Sequence, residues 1–188
     1  TIARNIEMVP ENWSGGQVGQ GYLPRGNSDS TEMIPEDGFD ELSGINKRTL
    51  TLTNNQVIWD LAGNIYNWTD NTISKKDQPD GFNTSDDNLG TGWGWFDYLK
   101  GGGGTYYLKW NNLGNTTMKY KDLFLLTSGE YNVNNGVGRL YGHSDSLSTD
   151  EYGFVRGGHW DDGPYAGVLF LSLFNAPSIP TPIIGFRC

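Results

Sequence analysis

Apolar and polar positions alternate along this chain in short runs, broken every few residues by Gly, Asn or Asp. That rhythm predicts many short strands joined by turns and long loops, since successive side chains on a strand face opposite ways. In "RTLTLTNNQVIWDL", Arg48 to Leu61, Leu50 and Leu52 alternate with threonines, the run turns at Asn54 and Asn55, and Val57, Ile58 and Trp59 resume it. This predicts a hairpin. Long helical periodicity is missing, and short helical pieces are expected within Ile34 to Leu42, around Asp97 to Lys100 and over Tyr120 to Leu126. In "GVLFLSLFN", Gly167 to Asn175, Leu169, Leu171 and Leu173 share one parity, and Val168, Phe170, Ser172 and Phe174 the other. The leucines make the natural core face of a strand. The opposite parity then joins His159, Asp161, Asp162 and Tyr165 of the preceding loop in an exposed aromatic and polar recognition surface. A strand buried on both sides, with Phe170 and Phe174 in the core, fits the same pattern, and patterning leaves both open.

At 188 residues the chain is expected to form one domain, residues 1–188, large enough to bury a sizeable core. Its 27 glycines, 10 tyrosines and 7 tryptophans agree with a turn-rich, strand-rich chain rather than a helical bundle. A net charge of −9 with scattered basic residues argues against a nucleic-acid partner, which needs clustered Lys and Arg. The densest basic stretch, "SKKD" at 74–77, is flanked by acids and reads as a solvated loop. No apolar run approaches the roughly 20 residues needed to span a bilayer, so no membrane insertion is expected. Nothing at the start resembles a signal peptide, and a first residue of Thr1 leaves room for a leader or an upstream domain.

Candidate chemistry is sparse. Cys188 is the single cysteine, which excludes an internal disulfide framework and a Cys-rich zinc site. The "GGGG" of Gly101 to Gly104 is followed by no GK[ST] and reads as a loop. His143 and His159 stand in no recognisable triad. Asp145, Asp150 and Glu151 offer oxygen ligands that calcium could use, but without EF-hand spacing, so no cofactor is expected. Asn12, Asn67, Asn83 and Asn115 head N-x-S/T sequences that an Asn-rich chain produces readily by chance.

"WDLAGNIYNWTD", Trp59 to Asp70, resembles the D-x-x-G-N-V-W-E-W-T motif of formylglycine-generating enzymes and their relatives. "FVRGGHW" and the closing "GFRC" resemble the R-G-G-S and G-F-R motifs of the same group. These landmarks run from about Arg48 to the end, and the first forty-odd residues match more weakly. The resemblance implies an α+β C-type lectin fold of the formylglycine-generating-enzyme variant, with two short helices, twisted antiparallel sheets and much ordered loop.

The last 33 residues, 156–188, are similar in addition to the variable segment of proteins diversified by retroelements in phages, bacteria and archaeal viruses. Their template reads much like R-G-G-N-W-N-N-G-x-N-A-G-V-F-x-L-N-L-N-N-A-P-S-N-T-N-T-N-I-G-F-R-C. Without a gap, the frame falls on Arg156, Gly157, Gly158, Trp160, Gly163, Ala166, Gly167, Val168, Leu171, Leu173, Asn175, Ala176, Pro177, Ser178, Ile184, Gly185, Phe186, Arg187 and Cys188. The departures fall mainly where the template has Asn or Thr: His159, Asp161, Asp162, Tyr165, Ser172, Phe174, Ile179, Pro180, Thr181, Pro182 and Ile183. Pro164 and Phe170 sit at less fixed places, and Leu169 replaces a Phe. Because such systems mutate adenines, an Asn codon ending in a pyrimidine never becomes Lys, Glu, Gln, Met or Trp. Between Gly157 and Phe186 none of the five occurs except Trp160, which the template itself supplies.

The resemblance therefore implies a ligand-binding receptor domain on a virion, extracellular or cell surface, facing a protein or other surface ligand of a host or target cell. Its binding residues would be the departures named above, Pro164 and Phe170 included. Catalysis is not expected: the related enzymes hold a soft metal on two cysteines after R-G-G-S, and Asp162 and Gly167 stand there. Asn67 replaces the Glu of the G-N-x-W-E-W motif, which weakens a calcium site at that motif. A virion or surface domain without a ligand is the alternative. On the binding reading, His159, Asp161, Asp162, Tyr165, Phe170, Ser172, Phe174, Ile179, Thr181 and Ile183 should be accessible on one face. Leu171, Leu173, Trp160 and Phe186 should be buried.

Overall fold

Alternation at 49–59 does produce a hairpin. Strands β1 (Thr49–Thr51) and β2 (Val57–Trp59) pair antiparallel, with Leu50 opposite Ile58. The turn closes through Asn55 N–H to Leu52 O (2.9 Å) and Leu52 N–H to Gln56 O (2.8 Å), and Asn55 takes the left-handed conformation that Asn tolerates. Within this computed structural model, residues 2–29, 42–78, 94–96, 136–142 and 148–185 are described. The helical pieces expected within 34–42, 97–100 and 120–126 lie outside them apart from Leu42, as do Gly101 to Gly104, His143, Asp145, Asn83, Asn115 and Phe186.

The chain is of mixed α and β structure, mostly sheet. Among the described residues there is one α-helix, α1 (Ile2–Glu7), several single 3-10 turns, the hairpin and a six-stranded sheet. The large sheet contains β3 (Tyr66–Ser74), β4 (Gly94–Phe96), β5 (Leu140–Gly142), β6 (Glu151–Gly157), β7 (Gly167–Ser172) and β8 (Ile184–Gly185). Their spatial order is β4-β5-β7-β6-β3-β8. Pairing is antiparallel except at β5–β7 and β3–β8, which are parallel, so the sheet is mixed rather than wholly antiparallel. The "SKKD" stretch is not a loop throughout: Ser74 ends β3 and Lys75–Asp77 form a 3-10 turn.

β7 is an interior strand, flanked by β5 and β6, whereas β8, from the end of the segment, lies at the edge of the sheet. Leu169, Leu171 and Leu173 join Ile6, Trp13, Leu23, Leu140 and Phe154 in the core, with α1 packed against β7. Burying a leucine side chain contributes on the order of 2 kcal/mol, so Leu169 and Leu171 on the strand and Leu173 just past its end anchor it firmly. Asn12 fastens α1 to the hairpin: its amide donates to Ile6 O (2.9 Å) and Thr51 O (2.7 Å), and its oxygen accepts from Thr51 N–H (2.9 Å). Asn12 and Asn67 are buried, which removes both from consideration as surface glycan acceptors. Next to the hairpin, Arg48 binds Asp60 through two 2.6 Å hydrogen bonds, the bidentate geometry a guanidinium favours.

The Arg156-Gly157-Gly158 corner carries the chain from β6 into the loop beyond it. Gly157 and Gly158 have φ of +90° and +79°, and a Cβ on either would approach Leu61 O to 2.4 Å or the Ala166 Cβ to 2.6 Å. Only glycine fits both constraints. The corner throws His159 across to Asn64, where the two residues form a parallel bridge.

Candidate functional site

The 159–165 loop is built on its own backbone. Asp162 N–H donates to His159 O (3.2 Å), Tyr165 N–H to Asp162 O (3.1 Å) and Gly163 N–H to Ser28 O (2.8 Å), so two successive turns are held to the 28–29 segment. The Asp162 carboxylate closes the first turn by accepting from His159 N–H at 2.8 Å. Its other oxygen accepts from the Tyr66 hydroxyl of β3 at 3.0 Å. His159 Nδ1 accepts from Asp161 N–H at 3.0 Å, and Nε2 lies 3.8 Å from the Asp162 carboxylate.

Tyr66 is the post around which this face is organised. Its ring meets the edge of His159 (centroids 4.5 Å, planes at 80°) and stacks on Phe170 (5.4 Å, 24°), and its N–H donates to Ile183 O at 2.9 Å. One residue of β3 thus touches four positions of the C-terminal segment, namely 159, 162, 170 and 183. Neighbouring rings extend the surface: His159 lies 5.5 Å from Trp160, Tyr141 of β5 lies 5.9 Å from Phe174, and the Arg139 guanidinium covers Tyr165 at 5.1 Å. Ring pairs at these separations favour fixed relative orientations.

Burial shapes the electrostatics. Desolvation holds the Asp162 carboxyl above the usual carboxylate range, opposed by the His159 amide, the His159 ring and the Tyr66 hydroxyl. Tyr66 is pushed far above the ordinary phenol range, first by burial and then by the Asp162 charge, and therefore acts as a neutral donor. Burial also raises Tyr141.

The expected exposure holds for part of the segment and fails for part. Asp161, Pro164, Phe174, Ile179, Pro180 and Pro182 are exposed, with Phe174 at 49% and Ile179 at 57%. His159, Asp162, Tyr165, Thr181 and Ile183 are half-buried. Phe170 and Ser172 are buried, at 0% and 5%, so the expectation that they are accessible is wrong. β7 lies between two strands, Tyr66 covers the Phe170 ring, and Ser172 sits between Tyr141 and Val155 in register, its Oγ accepting from Phe174 N–H at 3.4 Å. Through Ser172 the strand is thus buried on both sides, and the outward side of its continuation opens only at Phe174. Trp160, expected in the core, is half-buried because it continues the loop beyond the Asn64 bridge, while Leu171 and Leu173 are buried as expected.

Sequence reasoning missed Tyr66 and Tyr141. Tyr66 lies inside the quoted "GNIYNW" motif, two residues before Trp68, and that parity was the available signal for a ring directed to one face of β3. Asp150 and Glu151, named for calcium, take Ser148 and Ser74 hydroxyls as partners instead, and no group of three potential metal ligands occurs among the described residues. No helix among the described residues is long and apolar enough to cross a membrane. Comparison with protein-family models, curated proteins and solved structures yields no match to this chain.

Proposed function

We propose that this chain is a non-enzymatic ligand-binding receptor domain, with a C-type lectin fold of the formylglycine-generating-enzyme variant, whose segment 156–188 is diversified by a retroelement. One observation carries the reading. Most of the buried positions of the segment are frame residues, with Ala166 and Leu173 at 0% exposure, while departures from the template supply its most exposed aromatic and aliphatic groups, Phe174 at 49% and Ile179 at 57%; the frame residues Pro177 and Ser178 are exposed as well. An outward face of that composition, framed by fixed backbone, suits recognition by side-chain replacement. The placement is that of a virion, extracellular or cell surface, and the partner a protein or other surface ligand of a host or target cell. Neither nucleic acid nor bilayer insertion belongs to the reading, since the chain is acidic, with a net charge of −9.

Phe170 and Ser172 enter this reading as the floor beneath the face. Aromatic contacts at the centre of an interface supply a disproportionate share of binding energy, which points to Phe174, Tyr165 and His159 as the contacts that matter most. Sequencing the encoding gene across its source population tests the proposal. Variation should concentrate at His159, Asp161, Tyr165, Phe174, Ile179 and Thr181, leave Gly157, Trp160 and Leu171 untouched, and accompany a near-duplicate template repeat beside a reverse transcriptase gene. Variation spread evenly along the gene, with no repeat, would overturn it.

A further inference from the structure

We propose that the 159–165 loop is a proton-operated latch: protonation of His159 Nδ1 expels the Asp161 amide and turns the exposed Asp161 carboxylate out of its present position. The geometry is specific. Nδ1 accepts from Asp161 N–H at 3.0 Å, and a ring nitrogen that accepts a hydrogen bond carries no proton. The proton of the neutral ring therefore sits on Nε2, 3.8 Å from the Asp162 carboxylate. A second proton can enter only at Nδ1, where two N–H groups would then point at each other. The imidazolium is held in place by the Asp162 carboxylate, so the Asp161 peptide is the part that yields.

The surroundings favour that outcome over expulsion of the whole ring. From β3, the neutral Tyr66 hydroxyl binds Asp162 and its ring backs His159 edge-on; from β5, Tyr141 lies close enough to act on Tyr66. Within the loop, Asp161 and Asp162 are the charges near the ring, and on the 28–29 side Asp29, beside Gly163, is paired with Arg25 at 2.7 Å. Asp162 N–H and Tyr165 N–H have carbonyl partners of their own, and Trp160 N–H donates to Asn64 O, none of them through the imidazole ring. The movement is thus confined to the Trp160–Asp161 peptide, between the bonded Trp160 and Asp162 amides.

The test uses nitrogen-15-labelled full-length chain and no ligand, so it stands or falls separately from the recognition reading. The Asp161 amide proton and the His159 ring nitrogens are followed by NMR from about pH 7.5 to about pH 5, the range in which imidazole changes charge. The parent should lose the hydrogen-bonded amide shift of Asp161 along the same curve on which Nδ1 gains its proton. His159→Asn should show no such change, because an Asn oxygen accepts from the amide two residues on and takes up no proton in this range. An Asp161 amide that stays put while the ring titrates overturns the proposal. So does an equal response in His159→Asn, which would assign the change to a carboxylate. If that variant does not fold, the parent's two curves, coincident or not, decide the matter.

Discussion

Asp162 shows how a single position can serve the scaffold and the face together. Its carboxylate joins the Tyr66 hydroxyl to the His159 amide, yet burial raises its pKa, so the folded state holds a proton at pH values where the unfolded chain has released it. The sign follows from linkage: the folded-state advantage of this group is complete below the unfolded carboxylate value, about pH 4, and is lost as pH rises through the folded value. Asp162→Asn removes the titration while keeping an oxygen for the His159 amide and an N–H for the Tyr66 oxygen. Urea unfolding of parent and variant between about pH 3.5 and pH 7 should therefore show the parent losing ground to the variant as pH rises through and above the ordinary carboxylate range. A stability difference independent of pH would mean that the carboxylate is not desolvated as described.

At the scale of the element, β7 divides the segment into floor and face. Phe170→Ala should cost about 3–5 kcal/mol and Leu171→Ala or Leu173→Ala about 2–5 kcal/mol, since all three side chains are buried and their loss leaves a cavity. Thermal unfolding midpoints close to the parent's would show that the strand is not enclosed on both faces. The hairpin at 49–59 and the leucine parity of β7 were legible because each rests on local alternation and turn residues, which the chain carries in every few positions. The burial of Phe170 and Ser172 was not legible. It depends on β5 and β6 arriving on both sides of β7 from about 30 and 15 residues upstream and on Tyr66 arriving from about 100, and no local pattern reports such partners. The short helix α1 escaped notice for the same reason, being fixed by packing on β7 and by Asn12 rather than by its own periodicity.

For the whole molecule, the proposed role requires independence: the outward side chains change while the sheet behind them stays the same. Surface substitutions away from caps and core usually shift stability by less than about 0.5 kcal/mol, whereas core substitutions do not. A display library randomised at His159, Asp161, Tyr165, Phe174, Ile179 and Thr181 puts the claim to the test, selected against a purified Fab fragment as an arbitrary target. The single quantity to measure is the fraction of protease-resistant members that bind the Fab, before and after selection. The account predicts that most members remain protease-resistant and that selection enriches Fab binders that lose binding when Phe174 or Tyr165 positions are returned to Asn. A library that is largely protease-sensitive, or one that stays folded and yields no binder, would contradict it.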